Sequence, residues 1–177
     1  MYKVGDKVVY PHHGAGTVVK REKREILGEK REYLTIKILH NDMTVNVPAE
    51  NAERVGLRKV IDEEAVKKVV KYLTSGGTEM PKNWNRRFKH NRDKMKTGDI
   101  LELAEVVRNL SLRDREKGLS TGEKQMFVKA KKILASELMY AKQMDEDQAA
   151  VWLDDILAGM GANGKKRAVK AKVGAPA

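Results

Sequence analysis

The hydrophobic pattern of this chain changes its period near residue 60, and that change most constrains the fold. Before it, short runs rich in β-branched and aromatic residues are separated by turn signals, which predicts strands. After it, apolar residues recur at the three- and four-residue spacing of amphipathic helices. The 177 residues therefore hold two kinds of architecture, each with a modest core.

Strands are predicted within residues 4–47. The candidate runs are Val8-Val9-Tyr10, Thr17-Val18-Val19, 33–38 and 43–47, separated by turns at 13–16, 27–29 and 40–42. Several short strands in so small a segment favour a curled barrel of the SH3 or Tudor kind. Lys20 to Arg24 alternates in charge sign and is expected to form an outer strand face.

Capping residues mark where the helices should begin. The candidate N-caps are Asp62, Asn83, Asp99 and Ser120. Glu102 and Glu123 stand at the capping-box position of the last two, and a short final helix holds 151–157.

The predicted fold class is therefore α+β, a small N-terminal Tudor/SH3-like β barrel followed by an all-helical bundle of about five helices. The expected domains are 1–54 and 55–158. Residues 159–177 lack apolar periodicity and are expected to form a disordered basic tail.

The net charge of +11 comes from two short segments. Residues 82–96 carry seven basic side chains and one acidic one, and residues 161–177 carry five basic side chains and no acid. Such clustering is typical of a protein that binds a polyanion. A solvated helix face and a tail would give the same count, so charge alone leaves both interpretations open.

Sites for metal or catalytic chemistry are not indicated. The chain has no cysteine, and His40 and His90 offer no ligand spacing to the pair His12-His13. Gly14-Ala15-Gly16 lacks the remaining residues of a nucleotide-binding loop. We expect no enzymatic activity, no cofactor, no metal and no small-molecule substrate.

The N-terminus lacks the apolar segment of a signal peptide, and no apolar run approaches the roughly 20 residues of a membrane span. These features predict a cytoplasmic protein without a membrane partner.

Trp84 heads the densest basic run, 81–96. It lies four residues before Phe88, so one interpretation is a core residue on an amphipathic helix. The alternative is an apolar wedge at the helix start, of the kind that minor-groove binders insert beside phosphate-contacting cations. Phe88 and Met95 would then anchor the helix. The cations available are Arg86, Arg87, Lys89 and Arg92.

The chain resembles the CarD family of transcription regulators (the CarD/CdnL group). The resemblance rests on 4–16 (VGDKVVYPHHGAG), 47–51 (VPAEN), 83–88 (NWNRRF), 104–108 (AEVVR) and 118–124 (GLSTGEK). These segments follow the family's order and spacing and span nearly the whole chain to about residue 158.

The resemblance implies a Tudor-like module that binds the β subunit of bacterial RNA polymerase. It also implies a helical domain that touches promoter DNA at the upstream edge of the transcription bubble and stabilises the open complex. Trp84 matches the family's tryptophan, which wedges into the minor groove beside the −10 element. The DNA-binding residues expected on this basis are Trp84, Arg86, Arg87, Lys89, His90 and Arg92.

The same resemblance places the polymerase contact at Arg24 and at Asn46, Val47 and Pro48. Asn46 stands where certain members carry arginine. Two other functions stay open from the residues alone: a polymerase-independent, sequence-nonspecific nucleic-acid-binding or architectural protein, and an enzyme acting through the His12-His13 region.

Overall fold

The computed structural model describes residues 1–11, 13–39 and 42–159. Its N-terminal part is an antiparallel sheet of five strands. They are β1 (Lys7–Tyr10), β2 (Gly14–Ile26), β3 (Glu29–Ile38), β4 (Thr44–Pro48) and β5 (Arg58–Lys59). The strands are hydrogen-bonded in the order β4-β3-β2-β1-β5, so the last strand returns to pair with the first. The predicted β module of the Tudor/SH3 kind is confirmed.

The fifth strand lies beyond residue 54, where the first domain was expected to end. Arg58 pairs with Val9 and Lys59 with Val8. A strand of two residues has no hydrophobic alternation from which it could be predicted. It is held by its pairing with β1, so the sheet extends to residue 59.

Buried side chains of β1 to β4 form the core of the sheet module. Val8, Val18, Ile36 and Ile38 are fully buried there. Gly16 lets β2 approach β3 closely, because a Cβ at that position would lie 2.6 Å from the carbonyl oxygen of Lys37. Beyond Val18 the β2–β3 pair continues as a largely exposed ribbon that closes at Leu27-Gly28.

Five helices follow, as the periodicity predicts. They are α1 (Glu63–Thr74), α2 (Trp84–Lys96), α3 (Ile100–Glu116), α4 (Thr121–Ala141) and α5 (Glu146–Ala158). Each begins after a residue whose side chain accepts a backbone N–H; these caps are Asp62, Asn83, Asp99, Ser120 and Asp145. The apolar faces share one core, with Leu73, Leu110, Leu134 and Leu138 fully buried.

One expected capping box is only half formed. The Ser120 hydroxyl accepts the N–H of Glu123 at 3.3 Å, but the Glu123 carboxylate is held by Arg87 of another helix. A full capping box occurs at Asp145 and Gln148. Local sequence spacing predicts the N-cap correctly, whereas the partner of the carboxylate is set by tertiary packing.

The two modules meet where α4 packs against the sheet. The Arg58 guanidinium donates to both oxygens of Glu137 at 2.7 and 2.6 Å, and the backbone N–H of Ile61 donates to the same carboxylate at 2.9 Å. The Ala15 N–H donates to the Ser136 hydroxyl at 2.9 Å. Because Glu137 is buried, these contacts fix the sheet to the helical bundle at that point.

No helix within the described ranges is long and apolar enough to cross a membrane. The predictions for His12, His40 and the tail beyond Gly159 concern residues that lie outside the described ranges.

Candidate nucleic-acid interface

Trp84 is the first residue of α2, directly after its N-cap. The Asn83 side chain accepts the backbone N–H of Arg86 at 3.1 Å, which starts the helix at the indole. Trp84 shares a face with Phe88 and Met95, which pack on the helical core. At the start of the helix this face is only partly covered by the core, and Trp84 stays 43% exposed.

The indole is nevertheless held on two sides. Its ring stacks on Phe88 at a centroid distance of 5.1 Å and an interplanar angle of 18°. Its Nε1–H donates to the Ser120 hydroxyl at 2.8 Å. Trp84 is therefore a partly exposed residue whose orientation is set by its neighbours.

Arg87 is buried and paired with Glu123. The Arg87 Nε and Nη2 groups donate to the two carboxylate oxygens at 2.8 and 3.1 Å, and both side chains are no more than 3% exposed. The hydrogen bonds from Arg87 hold the pKa of Glu123 below its ordinary value. Arg87 also donates to the carbonyls of Pro81 and Lys82, so its donors are used inside the protein.

The phosphate contact expected of Arg87 does not fit this position. A basic run in the sequence gives no indication of which cations point inward. The signal that could have been used is helical spacing, since Arg87, Asn91 and Met95 recur every four residues and all three are buried. Lys94 is also engaged, with Glu105 of α3 at 2.8 Å.

The remaining candidate cations lie on the outer side of α2. Arg86, Lys89 and Arg92 are exposed, and His90 is half-buried. The helix thus carries an exposed indole at its first residue and exposed positive side chains along the turns that follow. This combination is suited to contact with a phosphate backbone.

The candidate polymerase-binding residues lie on the sheet module and differ in exposure. Arg24 is exposed on the outer ribbon, where it pairs with Glu22. On β4, Asn46 is exposed and accepts a hydrogen bond from the Thr35 hydroxyl at 2.8 Å. Val47 is 2% exposed and belongs to the core, while Pro48 is half-buried opposite Tyr33.

Sequence reasoning did not assign Ser120 or Glu123 to the site. Both were identified only as helix-start residues of α4. They lie 36 residues from Trp84 and Arg87 respectively, so no local pattern links them.

A cleft of about 680 Å³ lies beside the site, between residues 76–82 and α3. Its charged lining residues are Glu79, Lys82, Arg113, Glu116 and Lys117. Within the described part of the chain, no group of three or more His, Cys, Asp or Glu side chains is placed to hold a metal ion. The surface around Trp84 combines a partly exposed indole with exposed cations of α2, which suits binding to an extended polyanion.

Two family models match this chain. The CarD-like/TRCF RID domain matches residues 2–61, and the CarD C-terminal domain matches residues 68–154. A protein of Bacillus subtilis (strain 168) named "Putative transcription factor YdeB" is 39% identical over 148 residues, covering 84% of this chain and 97% of that protein.

Among solved structures, the solution NMR structure of the 72-residue N-terminal domain of Myxococcus xanthus CarD matches at 32% identity. It covers 33% of this chain and 79% of that chain, with a TM-score of 0.30. The two family models and the full-length relative carry the assignment: this chain belongs to the CarD-like transcription factor family, with an RNA polymerase-interacting type of domain at its N-terminus.

Proposed function

We propose that this protein stabilises the open promoter complex by binding the RNA polymerase β subunit and promoter DNA at the same time. The sheet module contacts the polymerase, and the start of α2 places Trp84 in the minor groove at the upstream edge of the melted region. The observation that carries the proposal is the 43% exposed indole, bonded to Ser120, on a helix that also carries exposed cations.

A wedge at a bubble edge follows from base-stacking energetics. Unstacking a base step costs a few kcal/mol, and a step that is already melted on one side costs less. An inserted indole recovers part of that cost, since stacking on an aromatic side chain contributes about 1–3 kcal/mol. Trp84 therefore binds the open state better than the closed one, and its effect on the equilibrium equals that difference in affinity.

Arg86, Lys89 and Arg92 contribute the nonspecific part of the contact. Each is exposed on α2 and can neutralise a phosphate of the duplex. Arg87 is not one of these cations, since its guanidinium is buried against Glu123. His90 is half-buried and lies at the margin of this surface.

Polymerase binding is proposed to use Arg24 and the edge strand β4. In the described sheet β4 pairs with β3 on one side only, so its other edge presents backbone N–H and C=O groups. A strand of the β subunit can add to that edge, with Asn46 and Pro48 beside it. Val47 then contributes its backbone, because its side chain is in the core.

Tethering makes a weak DNA contact sufficient. A protein held on the polymerase presents Trp84 to the promoter at a high effective concentration. The contact between the modules at Glu137 keeps the indole at a defined distance from the polymerase-binding strands. A protein bound to polymerase can then contact the promoter without a separate diffusional encounter with the DNA.

The test is the lifetime of the open complex after challenge with a competitor. We expect Trp84→Ala to shorten the lifetime roughly tenfold, which corresponds to ~1.4 kcal/mol, while binding to the isolated β subunit is unchanged. Trp152→Ala is the matched control, because Trp152 is a half-buried tryptophan on α5. An unchanged lifetime with Trp84→Ala would exclude the wedge.

The alternative of a polymerase-independent nucleic-acid-binding protein is favoured by the same exposed cations on α2. It predicts that promoter contact persists without polymerase and that the β subunit does not retain the protein. Retention of the full chain by immobilised β subunit, and its loss with Arg24→Glu, would argue against this alternative.

A further inference from the structure

We propose that Ser120 is a positioning residue for the Trp84 indole, holding the ring in the orientation in which it meets DNA. The proposal rests on the wedge function stated above and adds a second helix to the site. Ser120 is the N-cap of α4 and lies at the protein surface beside the indole.

The hydrogen-bonding capacity of the Ser120 hydroxyl is fully used. A serine hydroxyl has one donor and two acceptor positions. It accepts from Trp84 Nε1–H at 2.8 Å and from the Glu123 backbone N–H at 3.3 Å, and it donates to Glu123 Oε1 at 3.2 Å. The direction of the acceptor offered to the indole is therefore fixed by Glu123.

Glu123 is in turn fixed by the buried pair with Arg87. Arg87 lies one turn after Trp84 on α2, and Glu123 lies one turn after Ser120 on α4. Two polar contacts thus join the first turns of the two helices, one exposed at Trp84–Ser120 and one buried at Arg87–Glu123. The buried Arg87–Glu123 pair therefore sets the geometry of the exposed Trp84–Ser120 hydrogen bond.

Phe88 and Gly122 restrict the ring in the other direction. Phe88 stacks against the indole face, and a Cβ at Gly122 would lie 3.4 Å from Trp84 Cζ2. With its face against Phe88 and its N–H bonded to Ser120, the ring loses rotational freedom during folding. Less freedom is then lost when the indole meets the promoter, which raises the affinity.

The choice of variant separates the role of Ser120 in positioning the indole from its role as the N-cap of α4. Ser120→Gly removes the acceptor of the indole N–H but remains an acceptable N-cap, and Ser120→Thr keeps the hydroxyl. We expect Ser120→Gly to shorten the open-complex lifetime about two- to tenfold, the range of one hydrogen bond, and Ser120→Thr to restore it. In a Trp84→Phe background, which has no indole N–H, Ser120→Gly should have no further effect.

A second readout uses the full chain without polymerase. The indole Nε1–H of Trp84, identified by NMR through its loss in Trp84→Phe, should exchange with solvent faster in Ser120→Gly. The Trp152 indole signal should stay unchanged in the same spectra.

If Ser120→Gly shortens the lifetime equally in the wild-type and Trp84→Phe backgrounds, the proposal is overturned, because the effect then comes from the loss of the helix cap. An indole exchange rate that is insensitive to Ser120→Gly would overturn it as well. Failure of the wedge function is distinguishable, since it would leave the exchange result intact while Trp84→Ala has no effect on lifetime.

Discussion

At the scale of single residues, the site depends on side chains that the basic run does not contain. The residues alone leave Trp84 as either a core residue or an outward wedge, and the structure gives it a 43% exposed indole that also stacks on Phe88. The hydroxyl of Ser120 and the missing side chain of Gly122 complete its surroundings. Neither could be predicted, because both approach Trp84 from a helix that follows much later in the chain.

Gly122→Ala tests how closely the indole is packed against α4. The added methyl group would lie 3.4 Å from Trp84 Cζ2 and 3.5 Å from Phe88 Cε2, which is ordinary van der Waals contact. Alanine also favours the helix by up to ~1 kcal/mol over glycine. We expect the free energy of unfolding to rise or stay unchanged in thermal denaturation, with the same open-complex lifetime. A shorter lifetime would mean that the indole needs the space above Gly122.

At the scale of secondary-structure elements, capping residues define where α2 and α4 start, and the sequence contains them. Asn83 and Ser120 were predicted as N-caps and serve as such. The role of Glu123 was predicted incorrectly, because a local capping interaction and a tertiary ion pair compete for the same carboxylate. The Arg87 guanidinium offers two charge-assisted hydrogen bonds in a buried place, which is the stronger interaction.

Glu123→Gln tests the buried pair that joins these two elements. Removing one partner of a buried ion pair leaves the other charge uncompensated, and we expect the free energy of unfolding to fall by roughly 3 kcal/mol at neutral pH. Lys131→Ala is the control, since it removes the exposed pair with Asp154 and should cost less than about 1 kcal/mol.

The same variant carries a pH prediction. The folded-state pKa of Glu123 lies below its ordinary value of 4.5 because Arg87 hydrogen-bonds to the ionised form. Its contribution is therefore fully present above pH 4.5 and is lost as the pH falls through the lower folded-state value. The difference in unfolding free energy between wild type and Glu123→Gln should shrink with acidification in denaturant titrations. A difference that stays constant from pH 7 to acid would contradict the assigned pairing.

At the scale of the whole molecule, the two modules are joined where the buried Glu137 carboxylate of α4 is bonded to Arg58 and to the Ile61 N–H. The change of hydrophobic period predicted both modules, since each pattern reflects local burial. Their junction could not be predicted, because Glu137 lies 79 residues from Arg58 and appears in the sequence as one more helix acid. The fifth strand was missed for a related reason, since it exists only through pairing with β1.

Glu137→Ala tests whether the junction matters for function. The variant leaves Arg58 and the Ile61 N–H without their shared acceptor, and we expect a loss of about 3 kcal/mol or more in unfolding free energy. Where the folded protein persists, the open-complex lifetime should fall although binding to the isolated β subunit is retained. A normal lifetime in folded Glu137→Ala would show that a fixed arrangement of the modules is not needed.

The most direct test of the wedge locates α2 on promoter DNA. Because the chain has no cysteine, Asn85→Cys creates a unique attachment point beside Trp84 for an iron chelate that cleaves nearby DNA. In the open complex we predict cleavage confined to the minor groove at the upstream edge of the bubble. The same chelate at Val151→Cys, an exposed position on α5, serves as the control and should give a different or weaker pattern. Cleavage from position 85 that is absent, or spread evenly along the duplex, would contradict the account.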